Sequence, residues 1–321
     1  MADNGQGLKI AYLILGYRQP IHLARLVHAL QDNDSYFFIH IDKKSNLDQF
    51  KNLLHYEKNV LFINQRVRIC WGGFSMVKAI LYLLKTATGF QIDFKYYCLL
   101  SDADFPIKSK KQIKQLFAGK RQFIRIDRRL SGPERNYHFI YIERYHFSDN
   151  YLLDSKRELT HFYEKLARFL LSTMSCILNY VLPKRAFIKR VTPYHGSQWW
   201  CLTKECVRYI LDFIATNPDY VRFFRFVFAS DEIFFHTIVK LSPFAEDISH
   251  DFEKSTASGN DHGGHYIAWK YQDSLSPETL DESDFKDLME SNALFARKFD
   301  EKKSKSLIAR LEKQLQLDNP T

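Results

Sequence analysis

The feature that most constrains this chain is an alternation in its first 117 or so residues. Short, almost uncharged apolar runs are each followed by a polar cluster and then by an amphipathic stretch. The run from Lys9 to Gly16 (K-I-A-Y-L-I-L-G) has an apolar residue at nearly every position. A strand of that kind must bury both faces, as strands do inside a parallel sheet. Tyr36 to Ile41, Val60 to Ile63 and Lys95 to Leu100 read the same way. Between them, Pro20 to Gln31, Leu47 to Tyr56 and Phe74 to Thr86 space their apolar residues for helices, the first opened by proline. Such alternation predicts an α/β fold built on a doubly wound, mostly parallel sheet flanked by helices. Ligands of such sheets bind beyond the carboxyl ends of the strands. Three polar clusters fall there: Gly16-Tyr17-Arg18, Asp42-Lys43-Lys44-Ser45 and Ser101-Asp102-Ala103-Asp104. Neither G-x-G-x-x-G nor a Walker-type phosphate loop occurs, which argues against dinucleotide oxidoreductases and P-loop NTPases.

The middle of the chain is less regular. Gln122 to Asp127 reads as a strand, and Leu130 to Asp154 as loops with a further strand at Phe139 to Glu143. Leu159 to Leu182 reads as a helix whose part from Phe169 onward carries no charge. That part is too short to span a bilayer. It is either a buried helix with a basic end or an apolar surface against a membrane, flanked by Arg168, Lys184, Arg185, Lys189 and Arg190. Trp199 to Leu202 is expected as a strand and Cys206 to Ala215 as a helix. Asp231 to Leu241 is expected as a helix with Ser230 as N-cap, and Lys302 to Leu317 as an amphipathic helix.

Composition narrows the classes further. The hydrophobic fraction of 45% and charged fraction of 26% are those of a globular chain. Aromatic residues make up 15%, which suits an aromatic core or a groove for sugars or lipid. A net charge of +9 favours phosphate-bearing partners: nucleotide diphosphates, an anionic membrane or nucleic acid. Nucleic acid is the weakest of these, because no recognition motif accompanies the charge. The five cysteines contain no C-x-x-C and are odd in number, which points to reduced thiols and a reducing compartment. The polar stretch Met1 to Leu8 lacks the apolar segment of a signal peptide.

Several residue groups carry chemistry. Asp102 and Asp104 form a D-x-D at a strand end, able to hold a divalent ion on a donor's phosphates or simply to cap the next turn. Asp231-Glu232 opens a helix, where a carboxylate is stabilised as an anion and can accept a proton from an attacking hydroxyl. Arg297-Lys298 precedes Phe299-Asp300 and on spacing alone reads as a surface charge pair. His250, His262 and His265 lie close in sequence but lack a metal-ligand spacing. Trp71-Gly72-Gly73 is a turn that permits close backbone approach to a ligand.

Taken in order, these stretches form a pattern. They are A-Y-L-I-L-G-Y-R (11–18), I-H-I-D-K-K-S (39–45), W-G-G-F-S-M-V (71–77) and L-S-D-A-D-F-P-I-K (100–108). G-S-Q-W-W-C-L-T (196–203), S-D-E-I-F-F-H-T-I (230–238), H-Y-I-A-W (265–269) and N-A-L-F-A-R-K-F-D (292–300) follow. Each is unspecific alone; their common order and spacing is specific. The chain resembles the core-2/I-branching β-1,6-N-acetylglucosaminyltransferase and peptide O-xylosyltransferase family, glycosyltransferase family 14, from Ala11 to about Asp300.

The resemblance implies a GT-A (Rossmann-like) fold in one catalytic domain, 1–321. Its parts would be a nucleotide-sugar-binding half (8–117), an acceptor-binding and catalytic half (118–300) and a C-terminal helix (301–321). It also implies an inverting transfer from a UDP-sugar, with Glu232 rather than Asp231 as general base and Asp231 near the acceptor. Lys298, beside Arg297, would balance the diphosphate without a metal; Mn or Mg through Asp102 and Asp104 is the alternative. Gly16, Tyr17 and Asp42 would lie by the nucleotide. His265 stands where the family often has Arg, a departure that leaves a phosphate role only to its protonated form. Trp199 and Trp200 would face the acceptor unless they pack in the core.

N-acetylglucosamine is the expected sugar, with xylose and glucuronic acid as alternatives and a non-catalytic glycan- or membrane-binding module as the rival class. The expected acceptor is a glycan or glycolipid, with peripheral membrane contact through 159–190 as a further expectation. The expected setting is a bacterial-type cytoplasmic enzyme of surface-polysaccharide synthesis, or a Golgi-lumen enzyme if the chain is a trimmed eukaryotic one.

Overall fold

The computed structural model describes residues 7–131, 138–150, 152–154, 161–254, 259–269 and 276–317. Its first part alternates β1 (Ile10–Gly16), α1 (Pro20–Leu30), β2 (Ser35–Ile41), α2 (Leu47–Leu54), β3 (Val60–Phe62), α3 (Phe74–Thr88) and β4 (Tyr96–Ser101). Strand β1 is buried at all seven positions, as its unbroken apolar run requires. It pairs in parallel with β2 on one side and β4 on the other, and β2 pairs in parallel with β3.

After β4 come β5 (Asp104–Pro106), α4 (Lys110–Phe117), β6 (Gln122–Arg129), α5 (Phe139–Glu143), α6 (Phe162–Val181), β7 (Tyr194–Gly196) and β8 (Cys201–Thr203). Then follow α7 (Lys204–Thr216), α8 (Pro218–Phe224), a 3₁₀ turn at Ser230–Glu232, α9 (Phe234–Leu241) and β9 (Ile248–Asp251). The last elements are β10 (His265–Ile267), α10 (Phe285–Glu290), β11 (Phe295–Arg297) and α11 (Lys305–Leu317). The main sheet has the order β3-β2-β1-β4-β8-β6-β7, with β9 beside β6. Strand β8 is antiparallel to both β4 and β6, so the sheet is mixed only in its second half. A small sheet, β10-β11-β5, stands apart. In it β11 runs antiparallel to β5 and sets Arg297 opposite Asp104. This is the GT-A-like arrangement that the alternation and the resemblance imply.

Two apolar layers cover the main sheet. Residues of α3, α7 and α9, among them Val77, Leu84, Ile210 and Ile238, fill one face. Leu23, Val27, Phe117, Ile308 and Leu311, from α1, α4 and α11, fill the other. Part of the aromatic excess belongs to this core: Tyr220 packs against Phe213, Phe224 and Phe234 with ring centroids 4.8–5.2 Å apart.

Four expectations change. Phe139 to Glu143 is a helix, not a strand: Phe139 and Ile142 point inward three residues apart, a helical spacing. The helix expected from Asp231 begins at Phe234 instead. Ala229 takes a left-handed φ of 48°, and the chain turns once through Ser230–Glu232 before α9 starts. The Ser230 hydroxyl donates to the Gly73 carbonyl rather than capping that helix. The strand expected at Trp199 starts two residues later, at Cys201, and ends in Thr203, whose hydroxyl accepts from Cys206 N–H and caps α7. Finally, the buried alternative for α6 fails, since no residue of that helix is buried.

Candidate active site

The polar clusters at the strand ends meet as the topology predicts. Gly16 closes β1 where a side chain has no room: a Cβ there would lie 2.5 Å from Ile41 Cδ1. The next three backbone amides, of Tyr17, Arg18 and Gln19, all donate to Asp102 Oδ2, at 2.6, 2.7 and 3.1 Å. Asp102 thus ties the end of β4 to the loop after β1. Burial raises its acid, and those three amides oppose the rise. The exposed Tyr17 ring carries the Arg18 guanidinium at 4.6 Å and Lys44 Nζ at 5.3 Å. Asp42, at the end of β2, accepts from Lys44 N–H (2.8 Å) and Ile69 N–H (3.3 Å), binding the strand to the loop before Trp71.

Asp104 is fully buried, and its Oδ2 accepts from Ser101 N–H at 2.6 Å. Its Oδ1 faces Arg297 Nε at 3.5 Å, a charge contact without hydrogen-bond geometry. Burial pushes the Asp104 acid up to about 6 against the pull of Arg297. The Arg297 guanidinium lies over the Trp199 ring, 3.7 Å from its centroid. Its Nε and Nη1 are buried without a hydrogen-bond partner. Lys298 follows, its N–H donating to Glu278 O (3.3 Å) and its carbonyl accepting from Leu280 N–H (2.8 Å). Phe299 N–H donates to Ala103 O at 2.9 Å, so the segment 297–299 rests directly on the D-x-D turn.

His265 is fully buried between Trp199 and Phe295, with neither ring nitrogen paired. Burial and the Arg297 charge hold it neutral, well below the usual imidazole range. It therefore lacks the charge a phosphate partner needs. Among the described residues no group of three or more His, Cys, Asp or Glu gathers at one point. His250 instead pairs with Asp261 at 3.5 Å.

The second pole of the site is the turn Ser230–Glu232. Glu232 is the accessible acid, with 39% of its side chain exposed. Its Oε2 lies 3.1 Å from His195 Nε2. Asp231 points inward, and burial together with the Glu232 charge pushes its acid up to about 7. An acceptor in solvent meets Glu232 before Asp231. His195 in turn packs on His138, ring centroids 4.6 Å apart, and Arg128 Nη1 approaches His138 Nδ1 at 3.3 Å. The segment Tyr194–Trp199 joins the two poles: His195 touches Glu232 at one end, and Trp199 lies under Arg297 at the other. Trp199 thus supports the cation, while Trp200 is fully buried against Phe235, so packing takes it from the acceptor role.

Sequence reasoning missed His195 and His138. The first stands just before Gly196-Ser197, but nothing in its spacing points at residue 232. Only the pairing of β7 with β6 and the turn before α9 brings it there.

The fold is thus of the GT-A-like class, with an accessible acid at one end of a connecting segment and a buried guanidinium at the other. The model of the Core-2/I-Branching enzyme family matches residues 10–289, and the chain belongs to that family, a glycosyltransferase of family 14. It is similar to xylosyltransferase 2 of Bos taurus, at 22% identity over 96% of this chain and 34% of the relative. A xylosyltransferase of Ciona intestinalis is 23% identical over 98% of this chain and 35% of its own length. Xylosyltransferase 1 of Rattus norvegicus is 23% identical over 96% and 35%. The chain spans about a third of the length of these curated relatives.

Proposed function

We propose that this chain transfers a sugar from a UDP-sugar to a hydroxyl of a glycan or glycolipid acceptor, with inversion. Glu232 takes the acceptor proton as that oxygen forms its bond to the anomeric carbon. The bond from that carbon to the diphosphate breaks, and UDP leaves with the electron pair. Arg297 and Lys298 receive the developing negative charge, a role that elsewhere falls to a metal ion. Asp102 and Asp104 shape the donor end from behind, their carboxylates committed to amides and to Arg297.

The observation that carries this reading is Arg297: a buried guanidinium, braced by Trp199, with nitrogen donors that no protein group satisfies. Buried donors in that state call for a partner, and phosphate oxygens match a guanidinium in charge and geometry. The xylosyltransferase relatives favour xylose as the sugar over the N-acetylglucosamine expected from the resemblance. Peripheral contact with the inner face of a membrane, in a reducing cytoplasm, is part of the proposal. It is supported by the exposed apolar surface of α6, whereas no described helix is long and apolar enough to cross a bilayer.

The test is Glu232→Gln, assayed by saturation-transfer NMR against UDP-xylose, UDP-N-acetylglucosamine and UDP-glucuronic acid and by transfer to an acceptor panel. Donor binding within about twofold of wild type is expected, with transfer down by at least about 10³-fold. Full turnover by this variant removes Glu232 from the role.

A further inference from the structure

Helix α6 presents two apolar faces. Outward, Phe162, Leu166, Phe169, Leu170, Ile177 and Val181 stand exposed in a helical stripe without a charge. Exposed apolar side chains gathered along one helix face mark an interaction site. On its other side, Leu171 and Leu178 line an open cavity of about 230 Å³ together with Met174, Phe147, Leu153 and Phe226, with Met174 and Leu178 themselves partly exposed. Arg225 and Asp149 stand at its polar edge. The volume is below the roughly 300–1,000 Å³ of pockets for drug-sized ligands, so it suits one narrow apolar chain.

The cavity adjoins the catalytic turn. Asp149 Oδ1 accepts from Ser75 N–H at 2.9 Å, fixing the cavity edge to the turn after Trp71. Three residues beyond Phe226, Ala229 N–H donates to Gly72 O at 2.9 Å, and the Ser230–Glu232 turn follows at once. Cavity wall and candidate base therefore share a few residues of backbone.

We propose that this cavity binds the hydrocarbon chain of a lipid-linked acceptor, with Arg225 meeting the anionic group that joins chain to glycan. The identity of the occupant as acceptor rests on the Glu232 reading; the chain site does not. Helix α6 then has a place for each face, the outer stripe in the bilayer surface and the inner one against a chain drawn from it. The basic residues after the helix, Lys184, Lys189 and Arg190, all exposed, match an anionic surface.

The experiment is calorimetric binding of butyl, hexyl and octyl phosphate below their micelle concentrations, to wild type and to Glu232→Gln alike. Affinity is expected to rise with chain length, up to about fourfold per methylene, until the cavity is filled. Ser175→Trp, which fills the cavity, should flatten the series; Leu171→Phe, a smaller intrusion, should shorten it, with folding checked by circular dichroism. Arg225→Gln should weaken alkyl phosphates and leave neutral alkyl glucosides unchanged. Ile177→Glu should abolish sedimentation with phosphatidylglycerol vesicles while the alkyl series persists. Affinity independent of chain length, or a full series in folded Ser175→Trp, overturns the chain site. Concentration-dependent dimerisation that Ile177→Glu abolishes, without vesicle binding, assigns the outer stripe to a second copy and overturns its place in the bilayer surface. Full transfer by Glu232→Gln with the series intact would instead count against the Glu232 reading alone.

Discussion

At the scale of single residues the energetics concentrate on Arg297 and Asp104. Both are buried, and their charges face each other at 3.5 Å, in a contact set by strand register. A buried ion pair adds little net stability, because desolvation cancels most of the attraction. Removing one partner is different, since the other charge stays behind without compensation. Arg297→Met is therefore expected to cost about 3–5 kcal/mol in urea unfolding. The double variant Arg297→Met/Asp104→Asn should recover part of that loss. A cost below about 1 kcal/mol would mean that solvent already reaches the pair. The contrast between Asp231 and Glu232 follows from the same physics. Two adjacent acids cannot both be buried and ionised cheaply, so one turns inward with a raised pKa and the other stays accessible to solvent.

At the scale of elements, Gly196 joins sheet to site. It ends β7, and a Cβ there would stand 1.8 Å from the Arg125 carbonyl of β6. Gly196→Ala must push the strands apart and carry His195 away from Glu232. We expect a loss of about 1–3 kcal/mol in denaturant unfolding, together with a fall in kcat. Unchanged stability would mean that the register shift of β6 between Ile126 and Arg128 absorbs the methyl. How much could be read beforehand also differs by element. Strands β1, β2 and β4 were legible because burial on both faces leaves an unbroken apolar signature. Residues 139–143 and 230–241 were not: five apolar-rich residues fit either period, and a left-handed Ala229 is invisible in composition. Glu232 and Lys298 were singled out only through motif order, since each alone reads as an ordinary surface charge. His195, Asp102's three amides and the facing of Arg297 with Asp104 are products of packing. No local pattern encodes them.

At the scale of the whole molecule, the net charge of +9 favours a phosphate-bearing donor and an anionic surface alike. A donor site that counters the diphosphate with Arg297 and Lys298 should work in excess EDTA, at a rate within about threefold of the rate with added Mn²⁺. Loss of turnover in the chelator, restored by the metal, would return the D-x-D carboxylates to the centre of the chemistry.

Strand β11 belongs to the end of the chain but lies against β5, nearly two hundred residues earlier. During synthesis the D-x-D turn is thus made long before the guanidinium that will face it. Until residue 297 has left the ribosome, the Asp104 carboxylate has no cation opposite it, and the small sheet cannot close.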